Sequence, residues 1–104
     1  GGILMGMGFA LKEGFETKEG VPQKLTLTKY KIPTIREVPE ITPIIVEDAA
    51  QEGPYGAKGV GEITSIPITP AITNAIYDAL EVRFTRLPVT PKRILDALEE
   101  QGEC

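Results

Sequence analysis

A glycine-rich decapeptide in the middle of the chain limits the fold most strongly. Its sequence is Gly53-Pro54-Tyr55-Gly56-Ala57-Lys58-Gly59-Val60-Gly61-Glu62, and it holds four of the chain's eleven glycines. Glycines at this spacing disfavour helix and strand, and they let another backbone or a ligand approach closely while amide N–H groups stay free to donate. The stretch is therefore predicted to be irregular: either a mobile surface loop, or a binding loop that carries one cation and one carboxylate.

Three prolines, Pro33, Pro39 and Pro43, divide the segment that precedes this loop. Each fixes φ and lacks a backbone N–H, so regular elements between them can extend over only a few residues. This section is predicted to be extended and irregular, and to lie on a surface that something else supplies. The dense apolar run at 44–47 is predicted to be a short strand buried on both faces.

Apolar residues at helical spacing predict three helices, at residues 3–14, 70–80 and 91–101. Thr69 and Thr90 each precede a proline and are the predicted N-caps of the last two helices. Alternating or dense apolar residues predict three short strands, at residues 25–30, 44–47 and 83–87. The predicted fold is α+β, with about three helices packed on a small mixed or antiparallel sheet.

The first predicted helix keeps three glycines, Gly2, Gly6 and Gly8. Each costs helix propensity, roughly 1 kcal/mol relative to Ala in a helix interior. A helix that keeps such residues is usually packed tightly against another backbone, so close packing is predicted for this one.

Length, charge and apolar patterning exclude several classes of protein. The 104 residues suffice for one small domain, and the net charge is −4. The eleven Lys and Arg residues are scattered singly, so nucleic-acid binding by a charged face is not expected. We also expect no membrane span and no signal peptide, because the required apolar runs are missing from the sequence.

The residue types that are absent or rare restrict the chemistry. The sequence contains no His, which excludes Ser–His and Cys–His catalysis and leaves no plausible zinc site, so no metal ligand is assigned. The single cysteine, Cys104, cannot form an internal disulfide, and a reducing cytoplasm is the predicted location.

The decapeptide fits neither of two common phosphate-binding motifs well. In a Walker loop the lysine is followed by Ser or Thr, whereas Lys58 is followed by Gly59 and the next hydroxyl is that of Thr64. A dinucleotide fingerprint requires Gly-x-Gly-x-x-Gly before a helix, but the glycine spacing here differs and Pro67 blocks an immediate helix.

The decapeptide closely resembles the loop that carries the active-site glutamate in the molybdenum hydroxylases, the xanthine dehydrogenase and aldehyde oxidase family. The resemblance continues through Pro70-Ala71-Ile72-Thr73-Asn74-Ala75-Ile76-Tyr77-Asp78-Ala79, Val82-Arg83, Leu87-Pro88-Val89-Thr90-Pro91 and Ile94-Leu95. A looser resemblance covers Gly1-Gly2-Ile3-Leu4-Met5-Gly6-Met7-Gly8-Phe9-Ala10-Leu11 and Tyr30-Lys31-Ile32-Pro33-Thr34. It implies that residues 1–104 are the C-terminal portion of the large, molybdopterin-binding subunit, with the active-site loop at 53–62.

The resemblance also assigns roles within the loop. It implies that Glu62 is the general base beside a molybdenum–molybdopterin cofactor, and that Lys58, Gly59, Val60 and Gly61 lie nearest this cofactor. The pterin could carry a cytosine nucleotide, and iron–sulfur clusters and FAD would belong to other domains or subunits.

The same resemblance implies that the chain alone is inactive and needs the rest of the large subunit. A purine, another N-heterocycle and an aldehyde all stay open as substrates, and an isolated chain could self-associate through its apolar surface. The alternative is a small non-catalytic domain that keeps the loop for packing or subunit association.

Overall fold

The structure is a computed structural model that describes residues 1–102. The described residues form four helices: α1 (Gly2–Leu11), α2 (Leu27–Tyr30), α3 (Ile68–Leu80) and α4 (Pro91–Glu100). A two-stranded antiparallel sheet joins β1 (Thr17–Lys18) to β2 (Val21–Pro22), with Thr17 opposite Pro22 and Lys18 opposite Val21. Single 3-10 turns occur at Ile35–Glu37, Pro54–Gly56 and Ile63–Ser65. The α+β prediction is confirmed, and so are the three longer helices to within a few residues.

The small core lies where α1 packs on α3 and on the turn Ile63–Ser65. Gly6, Gly8 and Ala10 of α1 are buried, as is Val89, whose N–H donates to the Ala10 carbonyl at 2.7 Å. A Cβ placed on Gly6 would lie only 2.7 Å from Ile68 Cβ, closer than real side chains allow. Glycine therefore permits this helix contact, and the predicted close packing of α1 is confirmed.

Of the two predicted N-caps, Thr69 and Thr90, only Thr90 caps its helix. The Thr90 hydroxyl accepts a hydrogen bond from the Arg93 N–H at 3.3 Å and caps α4, as predicted. The prediction that Thr69 caps α3 is wrong, because α3 begins at Ile68, two residues earlier than predicted, and Thr69 lies inside the helix. The Thr69 hydroxyl instead donates to the Gly6 carbonyl of α1 at 3.2 Å, so a tertiary contact uses the group that would have capped the helix.

The predicted strands are wrong in position. At 25–30 the chain forms α2, capped by Thr26, whose hydroxyl accepts from the Lys29 N–H. Residues 44–47 and 83–87 adopt no regular structure. The real strands are joined by Glu19 and Gly20, with φ values of 51° and 81°, as a tight antiparallel hairpin requires. Strands of two residues carry too little apolar alternation for the sequence pattern to reveal them.

The chain is less compact than an ordinary domain of its length. Its radius of gyration is 17.4 Å, and it measures 55 × 36 × 27 Å, whereas a compact domain of this length has a radius of about 13 Å. Exposed apolar residues occur on α1, at Met5 and Phe9, and in the proline-rich middle. The exposed apolar residues of the proline-rich middle agree with the prediction that this section lies on a surface supplied by something else.

Cys104, on which the predicted reducing location rests, lies outside the described residues. Within residues 1–102, no helix combines the length and the apolar character of a membrane-spanning segment.

A salt bridge ties α1 to the turn Ile35–Glu37, and it leads to a first prediction. Lys12 donates to the Glu37 carboxylate, which also accepts from the Thr34 N–H at 2.7 Å. The hydrogen bond from Lys12 is the main cause that lowers the pKa of Glu37 below its ordinary value of about 4.5. The hydrogen bond from the Thr34 N–H lowers this pKa further. Because the folded pKa is lowered, the contact stabilises the fold above the ordinary pKa, and this contribution is lost as pH falls through the lowered value.

We therefore expect carboxyl NMR titration to give a Glu37 midpoint below that of an ordinary glutamate. Lys12→Met should return the midpoint towards the ordinary value, because the main donor is gone while the Thr34 N–H stays. Equal midpoints in the two proteins would contradict the contact.

Candidate active site

The first half of the glycine-rich loop is held by a turn that needs glycine. Within the turn Pro54–Gly56, the Gly56 N–H donates to the Gly53 carbonyl and the Ala57 N–H to the Pro54 carbonyl, both at 3.0 Å. A Cβ on Gly53 would meet the Ala57 carbonyl oxygen at 2.3 Å, and Gly56 has a φ of 79°. Both positions therefore exclude larger residues for local reasons.

Two contacts close the base of the loop. The Ala50 N–H donates to the Gly56 carbonyl at 3.1 Å, and the Lys58 ammonium pairs with the Asp48 carboxylate at 3.0 Å. Both charged groups of this ion pair are largely exposed, so its contribution to stability is small, typically about 0–1 kcal/mol. Its effect is on position, because it directs Lys58 towards the segment that precedes the loop.

The second half of the loop, residues 58–61, is open. All four residues are exposed, and within the described chain none of their amide N–H groups donates to another backbone group. A Cβ on Gly59 or Gly61 would meet nothing within 4 Å, and neither glycine has a left-handed φ. This stretch therefore has free donors and free space, which suits an oxygen-rich ligand lying against the backbone.

Glu62 immediately follows this open stretch and precedes the turn Ile63–Ser65. Its backbone carbonyl accepts from the Ser65 N–H at 3.0 Å and from the Ser65 hydroxyl at 2.8 Å, so the main chain is fixed. Its side chain is exposed and makes no salt bridge within residues 1–102. The structure thus presents an unpaired carboxylate on an anchored backbone.

The N-terminal end of α1 supports the backbone around Glu62. A Cβ on Gly2 would lie 1.7 Å from the Thr64 hydroxyl oxygen and 3.3 Å from the Gly61 carbonyl oxygen. The Thr64 hydroxyl in turn donates to that carbonyl at 3.0 Å. The sequence indicated close packing of the α1 glycines, but it gave no sign that Gly2 faces the turn after Glu62.

The structure separates the predicted site residues into two groups. Gly59, Val60, Gly61 and Glu62 form the open stretch and its exit, whereas the side chain of Lys58 is held by Asp48. The sequence analysis did not identify Asp48 or Thr64. Neither residue has a local sequence signal, because each contacts its partner only in the folded chain. Within the described part of the chain, no three His, Cys, Asp or Glu side chains cluster as a protein metal site would require.

A depression of about 640 Å³ lies elsewhere, between α1, α2 and α4. Met7, Leu11, Tyr30, Val89 and Ile94 contribute its apolar lining. Neither the open stretch nor Glu62 lines it, so it is not part of the candidate site.

The chain is similar in sequence to a known protein family and to several named proteins. A family model described as a molybdopterin cofactor-binding domain matches residues 1–39. A protein of Bacillus subtilis, named as a probable xanthine dehydrogenase component, is 37% identical over 98% of this chain and 14% of that protein. An aldehyde oxidoreductase of Megalodesulfovibrio gigas is 39% identical over 95% of this chain and 11% of that protein.

A solved structure agrees with these relatives. The crystal structure of quinoline 2-oxidoreductase from Pseudomonas putida 86 matches 95% of this chain with a TM-score of 0.83 and 33% identity, and the match covers 13% of that protein chain. The chain belongs to the xanthine dehydrogenase and aldehyde oxidase family of molybdenum hydroxylases, as the sequence resemblance predicted. It spans between about one ninth and one seventh of the length of these relatives.

Proposed function

We propose that this chain is a segment of the molybdenum-binding subunit of a hydroxylase and that Glu62 is the general base of the reaction. The substrate class is an N-heterocycle, such as a xanthine-like purine, or an aldehyde, with water as the source of oxygen. The observation that carries the proposal is the unpaired, exposed Glu62 carboxylate at the exit of a loop with free amide donors. Sequence similarity to molybdenum hydroxylases extends through this loop.

The cofactor and Glu62 would have different roles in the reaction. When bound, the molybdenum–molybdopterin cofactor would accept the two electrons that the substrate carbon loses as it gains an oxygen from water. The Glu62 carboxylate would take the proton from the attacking oxygen, which raises the nucleophilicity of that oxygen as it approaches the carbon. The hydrogen bonds to the Glu62 backbone carbonyl would hold in position the main chain that carries this base.

The open stretch fits the role of a cofactor contact. The backbone at Gly59, Val60 and Gly61 would donate to oxygen or nitrogen atoms of the cofactor, since its amides are free and no Cβ at either glycine would meet the rest of the chain. Lys58 would contribute through its backbone while its side chain stays on Asp48. The described residues supply no clustered metal ligands, so the chain would act beside the metal instead of ligating it.

The remaining parts of the enzyme would come from elsewhere. Residues 1–104, with the loop at 53–62, would form one portion of the molybdopterin-binding subunit in the cytoplasm. The rest of this subunit would complete the substrate site, iron–sulfur and FAD domains or subunits would carry the electrons away, and the pterin could be the cytosine dinucleotide form. The chain alone would be inactive.

The proposal is tested on the complete enzyme, purified with its cofactor. We expect molybdenum and pterin in near-stoichiometric amounts, and anaerobic bleaching of the enzyme by at least one member of a panel of purines, other N-heterocycles and aldehydes. A complete enzyme that contains no molybdenum, or that none of these classes reduces, would instead favour a packing role for the loop.

A second prediction concerns the two glycines of the open stretch. Gly59→Ala and Gly61→Ala add a methyl group that meets nothing in this chain, so the fold should tolerate both. If the cofactor lies against this backbone, however, each should lower the molybdenum and pterin content of the purified enzyme several-fold. Gly1→Ala is the matched control, because its methyl group also meets nothing within 4 Å. Full cofactor content in both loop variants would move the cofactor contact away from residues 59 and 61.

A further inference from the structure

The segment between the turn Ile35–Glu37 and the glycine-rich loop leaves its backbone unpaired. Within the described chain, no N–H or carbonyl of residues 39–49 makes a backbone hydrogen bond. Three consecutive side chains in this segment are almost fully exposed: Ile44 at 81%, Ile45 at 87% and Val46 at 85%. In a strand, neighbouring residues point to opposite faces, so these three side chains would give such a strand apolar surface on both faces.

These properties are those of a strand that lacks its sheet. Ile and Val favour the extended, half-buried geometry of strands, and a strand that is apolar on both faces belongs in a sheet covered on both sides. Pro43 precedes the run, and proline is tolerated at the first position of a strand because its missing N–H interrupts no ladder there. The sequence prediction of a strand at 44–47 is not met among residues 1–102, where the only sheet pairs β1 with β2.

We infer that residues 44–47 pair, as an inserted strand, with a β-sheet in the remainder of the same subunit. The structural comparison supports a partner sheet in the same subunit. The match covers 95% of this chain but only 13% of the solved protein chain. The extended shape therefore occurs within a much larger chain that can supply a sheet. The inference rests on the larger-subunit part of the proposed function and not on the role of Glu62.

A second copy of this chain is a poorer partner for the segment. Pairing two such segments with each other would give a two-stranded ribbon, and an isolated ribbon of this kind is marginally stable at best in water. It would also leave both apolar faces of each strand exposed. A sheet that already has layers packed on it satisfies the backbone and covers both faces at once.

Amide hydrogen exchange of the complete subunit tests the inference. We expect the amides of residues 44–47 to exchange at least about 100-fold more slowly than unpaired amides of the same sequence. Ile45→Pro removes one N–H from the predicted ladder and should abolish the protection of neighbouring amides, whereas Ile45→Val, which keeps the strand geometry, should retain it. Rapid exchange at 44–47 in the wild-type subunit would overturn the inference without any need for variants.

Two further outcomes separate this inference from its alternatives. Protection that disappears when the subunit is diluted would assign the pairing to a second copy and would overturn pairing within the subunit. Glu62→Gln should leave the protection unchanged, because Glu62 lies outside the segment. Slow exchange at 44–47 in an enzyme whose turnover survives Glu62→Gln would therefore refute the role of Glu62 alone.

Discussion

Glu62→Gln in the complete enzyme is expected to slow reduction of the molybdenum centre by substrate by about 100- to 10,000-fold, the range for loss of a general base. Glutamine keeps the size and shape of the side chain but cannot take a proton. The hydrogen bonds that anchor residue 62 are accepted by its backbone carbonyl, so they survive the change of side chain. Cofactor loading should therefore stay normal, and reoxidation of the reduced enzyme should be unaffected.

The measurement is anaerobic reduction by substrate at matched molybdenum content. Another glutamate on the approach to the loop, Glu52, serves as the control, because it is exposed, lies before the open stretch and lies outside the segment 44–47. Glu52→Gln should react nearly as fast as the wild-type enzyme. Near-normal reduction in the Glu62→Gln enzyme would remove this residue from the mechanism.

The irregular conformation of the glycine-rich loop could be predicted because its signal is local. The glycine spacing and the following carboxylate are contiguous in the sequence, and the structure keeps them contiguous in space as an exposed loop. The supports of that loop were not predictable in the same way. Asp48 pairs with Lys58 ten residues away, and Gly2 lies against Thr64 across sixty-two residues, so both depend on the folded chain.

The difference between local and long-range partners also explains which secondary-structure features were predicted correctly. The Thr90 cap uses a hydroxyl and an N–H only three residues apart, so the local sequence is enough to predict it. The Thr69 hydroxyl has an acceptor on α1, sixty-three residues away, which the local sequence cannot reveal. The strand signal at 44–47 describes a preference for pairing, and residues 1–102 provide no partner strand for this segment.

Gly6 carries the largest predicted effect on stability. A Cβ there would lie 2.7 Å from Ile68 Cβ and 3.0 Å from the Ser65 carbonyl oxygen. Neither atom is the free end of a flexible side chain, so α1 and α3 must separate to admit a methyl group. Alanine recovers roughly 1 kcal/mol of helix propensity, whereas overpacking of a close contact costs typically about 1–3 kcal/mol. Valine adds two more methyl groups and recovers less propensity, because it is β-branched.

We therefore expect a graded loss of stability, small for Gly6→Ala and about 3 kcal/mol for Gly6→Val, in the complete subunit. Amide exchange in α3 measures this locally, and a loss of that size corresponds to exchange about 150-fold faster. Gly14→Ala is the control, since its Cβ would meet Pro88 at an ordinary 3.8 Å. Because Ser65 closes the turn after Glu62, we expect reduction of the molybdenum centre to slow in the same order. Unchanged exchange in Gly6→Val would show that the α1–α3 contact is looser than 2.7 Å implies, and that α1 does not hold the base in place.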